Sequence, residues 1–342
     1  RQSLFYGIIA LGVHATETTV PIYIGIFGFA PITVGSLVTY PLARYTIRNR
    51  FGALVACLLF GWNTHSLVGL HGGQFLQVAP ITFMPVILYV AIRAIEAPQA
   101  MRWKLSASLA LAAQALFDPR FSYVTFLGVG IILASVSQRL PRTAWQSGVT
   151  SIQLVASMLA GAVVVQAPWL AGMLSNPSAS PLPESYSDGS FLSGLSVAKL
   201  ANIMSLHHPY FPSQLVWDIS QLPIGQEAML PLGVALIAGA WVGRREPLIV
   251  GYAAAFVVTA FLAKGVQPPW EGVFRWIFVH VPGMTMFRDP VKWLPLSTLF
   301  ASLLVGVSAR EMGLALLRAR LGVQVLARTL PLVVLAAAVV TP

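Results

Sequence analysis

Apolar residues gather in ten long blocks, at positions 20–42, 51–70, 75–92, 104–117, 121–136, 147–174, 228–242, 248–263, 293–309 and 329–340, with polar turns between them. A helix that crosses a bilayer needs roughly 17–25 consecutive apolar residues. The pattern therefore predicts an all-α, polytopic membrane protein with about ten transmembrane helices in a single domain covering residues 1–342. The blocks at 104–117 and 329–340 are short, which makes each re-entrant or extended into its flank. A further apolar stretch at 4–13 reads as the tail of an eleventh helix. An outer-membrane barrel would show strands of about ten residues with alternating polarity. These blocks lack that alternation.

A helix of a different kind is written into 270–281. Trp270, Val273, Phe274, Ile277, Phe278 and Val281 recur at helical spacing, with Glu271 and Arg275 off the stripe as an i,i+4 pair. The pattern predicts a short amphipathic helix that either lies flat in the membrane interface or packs its stripe on the protein's own helices.

Composition agrees with the pattern. The 342 residues are 56% hydrophobic and only 9% charged, whereas soluble domains carry about 25% charged residues. A soluble enzyme is excluded. The net charge of +10 would suggest nucleic acid in a soluble protein, but here the placement of the basic residues along the loops accounts for it. When the loops alternate sides, fourteen Lys and Arg fall on one face, from Arg44, Arg48 and Arg50 through Arg93, Arg102, Lys104, Arg139, Arg142, Arg244 and Arg245 to Arg310, Arg318, Arg320 and Arg328. Six fall on the other: Arg120, Lys199, Lys264, Arg275, Arg288 and Lys292. The first set marks the cytoplasmic side, which predicts a cytoplasmic (plasma) membrane protein with extracytoplasmic loops at 175–227 and 265–292. Eight of the eleven acids, including Glu17, Asp118 and Asp289, lie on the outer face. Cys57 is the lone cysteine, so no disulfide forms within the chain.

The outer loops hold the candidate chemistry. The 175–227 interval contains a Pro/Ser-rich piece and the run His207-His208-Pro209-Tyr210-Phe211-Pro212. It reads as an ordered cap over the helices or as a substrate lid. Adjacent histidines cannot form the i,i+4 pair of a zinc helix, so no metal site is assigned. His71-Gly72-Gly73-Gln74 reads as a turn. Asp118-Pro119-Arg120 places an acid and a base at membrane depth, as an ion pair capping the next helix or as a functional pair. Asp289-Pro290 reads as an N-cap followed by proline at the first helical position. Arg288 and Lys292 then stand at the positive end of a helix, where an anion such as phosphate is accommodated; interfacial snorkelling is the plainer alternative.

Several of these segments together resemble one family. Pro41-Leu42-Ala43-Arg44, a helix ending Trp62-Asn63, then His71-Gly72-Gly73-Gln74, Ala79-Pro80 and Met84-Pro85-Val86 are similar to the middle of GT-C type multi-spanning glycosyltransferases, in the YfhO-like and arabinofuranosyltransferase-like branch. Phe287-Arg288-Asp289-Pro290-Val291-Lys292 resembles the aromatic-Arg-x-Pro-x-basic element before a late helix in those proteins. The resemblance implies transfer of a sugar from a polyprenyl-phosphate donor to a glycan, lipid or protein acceptor at the outer face of the membrane. It implies basic residues on the donor phosphate, here Arg120, Arg288 and Lys292, and an acid acting as base or beside a divalent cation, here Glu17 or Asp118. The family's first helix and acid-bearing first outer loop would fall before or around Arg1, which makes the longer gene product or a partner membrane subunit the expected source of a further acid. Two other classes fit the hydropathy pattern. One is a multi-spanning transporter, against which stand the lack of an internal repeat and the position of the charges at span ends. The other is a non-catalytic subunit of a membrane assembly, which purification in mild detergent would reveal.

Overall fold

The computed structural model describes residues 20–63, 65–66, 78–137, 144–175, 191–206 and 225–318, and every statement of structure concerns these. The blocks at 4–13 and 329–340, Glu17, the 71–74 turn and the His207-His208 run lie outside them. All regular structure in the described residues is helical. In chain order the helices are α1 (Val20–Ile47), α2 (Arg50–Gly61), α3 (Phe83–Glu96, entered through a 3-10 turn Ala79–Thr82), α4 (Met101–Phe117), α5 (Pro119–Ser137) and α6 (Ala144–Ser175). They continue with the short α7 (Leu192–Leu195) and α8 (Leu200–Met204), then α9 (Gly225–Val242), α10 (Pro247–Lys264), α11 (Glu271–His280) and α12 (Leu294–Arg318). Five helical segments are long and apolar enough to cross a membrane: Ala79–Glu96, Pro119–Ser137, Gly148–Pro168, Pro247–Lys264 and Pro290–Leu317. The protein is thus a helical membrane protein.

One expected span is interrupted. The block at 51–70 predicts a continuous helix, yet α2 stops at Gly61 and helical backbone resumes at 65–66. Asn63 accounts for the break: its amide donates to the Phe60 carbonyl and to Ser66 Oγ (3.1 Å), while its Oδ1 accepts the Ser66 N–H at 2.9 Å. A side chain that bonds the backbone on both sides offers the chain an alternative to the helical ladder.

The core is organised around α12. Every residue from Pro290 to Val307 is buried, among them the polar Lys292, Ser297, Thr298 and Ser302. It packs against α2, α9 and α10, with α1 beside α2 and the α3–α4–α5 group beyond. Two of these contacts bring backbones together. A Cβ at Gly52 would lie 2.3 Å from the Gly306 carbonyl oxygen, and one at Gly239 would lie 1.9 Å from that of Leu304. Small residues at helix crossings serve this purpose in membrane proteins. Helix α6 is the opposite case: Ile152 (69%) and Val164 (71%) point outward from the bundle.

Polar contacts tie one end of the bundle. Arg310 donates to the Ile47 carbonyl at 3.2 Å and pairs with Glu311 at 2.7 Å. Tyr45 bonds Glu96, and Thr46 meets the Tyr252 hydroxyl at 3.0 Å. Arg93 lies over the rings of Tyr45 and Trp103. The opposite end carries Asp118, Arg120, Asp289 and Lys292.

Candidate functional site

Asp118 lies between two helices. Its N–H closes α4 on the Gln114 carbonyl (3.1 Å) and its backbone is extended, so the next residue, Pro119, opens α5 with no N–H to satisfy. The carboxylate then meets Arg120. Oδ1 accepts the Arg120 backbone N–H and Nε, each at 2.9 Å, and Oδ2 accepts Nε at 3.1 Å and Nη2 at 2.6 Å. Both oxygens are occupied by donors in the two-point geometry that gives arginine–carboxylate pairs their strength. The ion pair that caps α5 is thus present, and a functional role for the same two residues is compatible with it.

The second half of the site comes from the turn before α12. Gly283 adopts a left-handed backbone (φ +83°) that a side chain would strain, and the chain passes through two 3-10 turns, Met284–Phe287 and Pro290–Trp293. Tyr123, one helical turn beyond Arg120 on α5, holds this region in place. Its hydroxyl donates to the Pro282 carbonyl at 3.2 Å, and its ring lies 5.5 Å from Phe287 and 6.3 Å from Trp293. Trp293 is fully buried.

Lys292 is 2% exposed, and its ammonium pairs with Asp289 Oδ2 at 2.5 Å. The expected capping role of Asp289 is corrected here. It occupies the N-cap position ahead of Pro290, but its side chain makes no capping bond and turns to Lys292 instead. A lysine three residues on, buried at the helix start, competes for the carboxylate more strongly than a neutral N–H does. The two predicted phosphate-binding cations are also unlike in setting: Arg288 is exposed, whereas Lys292 is buried.

The two ion pairs form one electrostatic cluster, since the charges of Asp118 and Arg120 both act on Lys292. His65 belongs to it as well and was not foreseen as a site residue. It follows the Asn63 break, is 2% exposed, and feels the Lys292 charge. The signal was present in the sequence as a histidine inside an apolar block, immediately after a residue able to break it. The cluster of Asp118, Arg120, Asp289 and Lys292 pairs two acids with two bases.

Among the described residues no three of His, Cys, Asp and Glu gather as a metal-binding set. Glu17, the other acid expected to act in catalysis, lies outside the described residues. The arrangement of Asp118, Arg120, Asp289 and Lys292 places two acid–base pairs at one end of the bundle. Comparison with protein families, curated proteins and solved structures finds no match to this chain.

Proposed function

We propose that this protein handles a polyprenyl-phosphate-linked sugar at the outer face of the cytoplasmic membrane, as a glycosyltransferase of the GT-C type or a protein derived from one. The observation that supports this most is Lys292: a lysine 2% exposed, at the start of a membrane helix, with its ammonium held by Asp289 and a second cation, Arg120, acting on it. Buried ionisable groups at membrane depth are costly and are kept for a task. A lipid phosphate presents its head at this level while its chain stays in the bilayer.

Charge balance then dictates how the phosphate enters. It takes the place of Asp289 on Lys292, with Arg120 and the exposed Arg288 as further donors, and the Asp289 carboxylate is released beside the incoming sugar. In the transfer, an acceptor oxygen bonds the anomeric carbon as the bond from that carbon to the phosphate oxygen breaks. The acceptor proton passes to a carboxylate, for which Glu17, Asp118 and the released Asp289 are the candidates. The departing lipid phosphate gains negative charge, which the cations stabilise. A partner subunit supplying a further acid is compatible with this scheme, and a divalent cation beside that acid is too.

Binding tests the proposal without requiring turnover. Charge-assisted contacts to phosphate contribute about 1.5–3 kcal/mol each. The double variant Arg288→Gln/Lys292→Gln should therefore bind a polyprenyl monophosphate more than about tenfold more weakly, as read by native mass spectrometry from detergent. Equal binding by the parent and the double variant, with both folded, would remove the phosphate reading and leave snorkelling cations.

A further inference from the structure

Helix α11 does not use its stripe as one surface. Phe274 and Phe278 turn inward and are fully buried, with Phe278 edge-on to Phe191 at 5.8 Å. Around the rest of the helix, Val273 (50%), Trp276 (59%) and Val279 (43%) are exposed, and Trp270 (70%) stands just ahead of the first turn. Trp276 stacks flat on His280, with ring centres 4.8 Å apart, and the imidazole Nδ1 lies 2.8 Å from the Trp276 carbonyl. Charge is confined to one flank, in Glu271 and Arg275. The helix is thus apolar on the side that faces the core and again on much of the side that faces away. A water-facing helix places polar residues there, and exposed apolar patches of this kind mark a surface that is covered in use.

Its position identifies the cover. The membrane segment before α11 ends at Lys264 and the one after it begins at Pro290, so α11 runs at the boundary level of the bilayer. Trp270, just ahead of α11, lies with its ring 6.5 Å from that of Phe261 near the end of α10, so the helix starts where that membrane segment ends. Tryptophan concentrates at this depth because its ring is apolar and its N–H is polar. We propose that α11 is seated in the head-group region of the membrane, with Trp270, Val273, Trp276 and Val279 against lipid and Phe274 and Phe278 serving as its anchors in the protein. This differs from an interfacial helix resting on the predicted stripe, since the two phenylalanines of that stripe point inward and the lipid face includes Trp276 and Val279. It does not depend on the sugar-transfer reading.

Spin labels locate the face. The single substitutions Val273→Cys, Trp276→Cys and Val279→Cys would be labelled with a nitroxide and placed in vesicles of phosphatidylcholine and phosphatidylglycerol; Cys57, being buried, stays in place. Ile152→Cys on α6 serves as the lipid reference and Arg244→Cys as the water reference. The expected result is a ratio of oxygen to nickel-chelate accessibility at 273, 276 and 279 that is severalfold above the Arg244→Cys value and approaches that of Ile152→Cys. Ratios equal to the water reference would overturn the proposal. Labels shielded from both reagents would overturn it too, by showing that another part of the chain or a second copy covers the face. Should Trp276→Cys fail to fold, the two valine positions decide between these results.

Discussion

Asp118→Ala is expected to lower the stability of the detergent-solubilised protein by about 3 kcal/mol, the scale of removing one partner from a buried ion pair together with a helix cap. The basis is the density of bonds on this carboxylate, which receives the Arg120 backbone N–H, Nε and Nη2 while its side chain is only 8% exposed. Asp118→Asn keeps the oxygen that caps α5 and should recover part of the loss. Heating followed by size-exclusion chromatography gives the midpoints. The comparison also separates two roles. If Asp118→Asn is as stable as the parent, the pair with Arg120 contributes little, and the carboxylate is available for proton chemistry as the sequence alone suggests. A graded loss, Ala beyond Asn, fixes it as a structural element and moves the burden of proton transfer to Asp289 or Glu17.

Gly239→Val is expected to be at least as damaging. A Cβ at this position would stand 1.9 Å from the Leu304 carbonyl oxygen and 2.7 Å from its carbon. Both are backbone atoms, so no rotamer change relieves the clash, and α9 must move away from α12. Overpacking commonly costs about 1–3 kcal/mol and more where the backbone has to shift. Gly148 on α6 is the matched control, because a Cβ there meets nothing within 4 Å. Gly148→Ala should be neutral or stabilise by up to about 1 kcal/mol, the difference in helix propensity. Equal melting behaviour of Gly239→Val and the parent would mean that α9 and α12 do not cross here.

The sequence made the class of fold plain, because a residue facing lipid and a residue facing the protein core are both apolar, and ten such blocks leave few alternatives. That same degeneracy hid the finer features. Hydropathy does not see that Asn63 can bond backbone on both sides of itself, so the break after Gly61 passed as continuous helix. On α11 the periodicity correctly gave the helix, yet Trp and Phe count alike in an apolar stripe, and only packing separates Phe274 and Phe278, which fill the core, from Trp276, which does not. The charged residues of the site were legible one by one in Asp118-Pro119-Arg120 and in the 288–292 run. Their assembly into one cluster was not, since Asp118 and Lys292 are far apart in the chain. The choice of partner for Asp289 depended on how deeply Lys292 is buried, which local sequence does not state.

The helix at the centre of the bundle is also the last of the described helices to be synthesised. Chains emerge from the ribosome at roughly 5–20 residues per second, so α2, α9 and α10 are all made before the element they pack against exists. Until residues 290–307 arrive, the glycine faces at Gly52 and Gly239 have no backbone to close on. Completion of the core therefore waits for the last of the described helices.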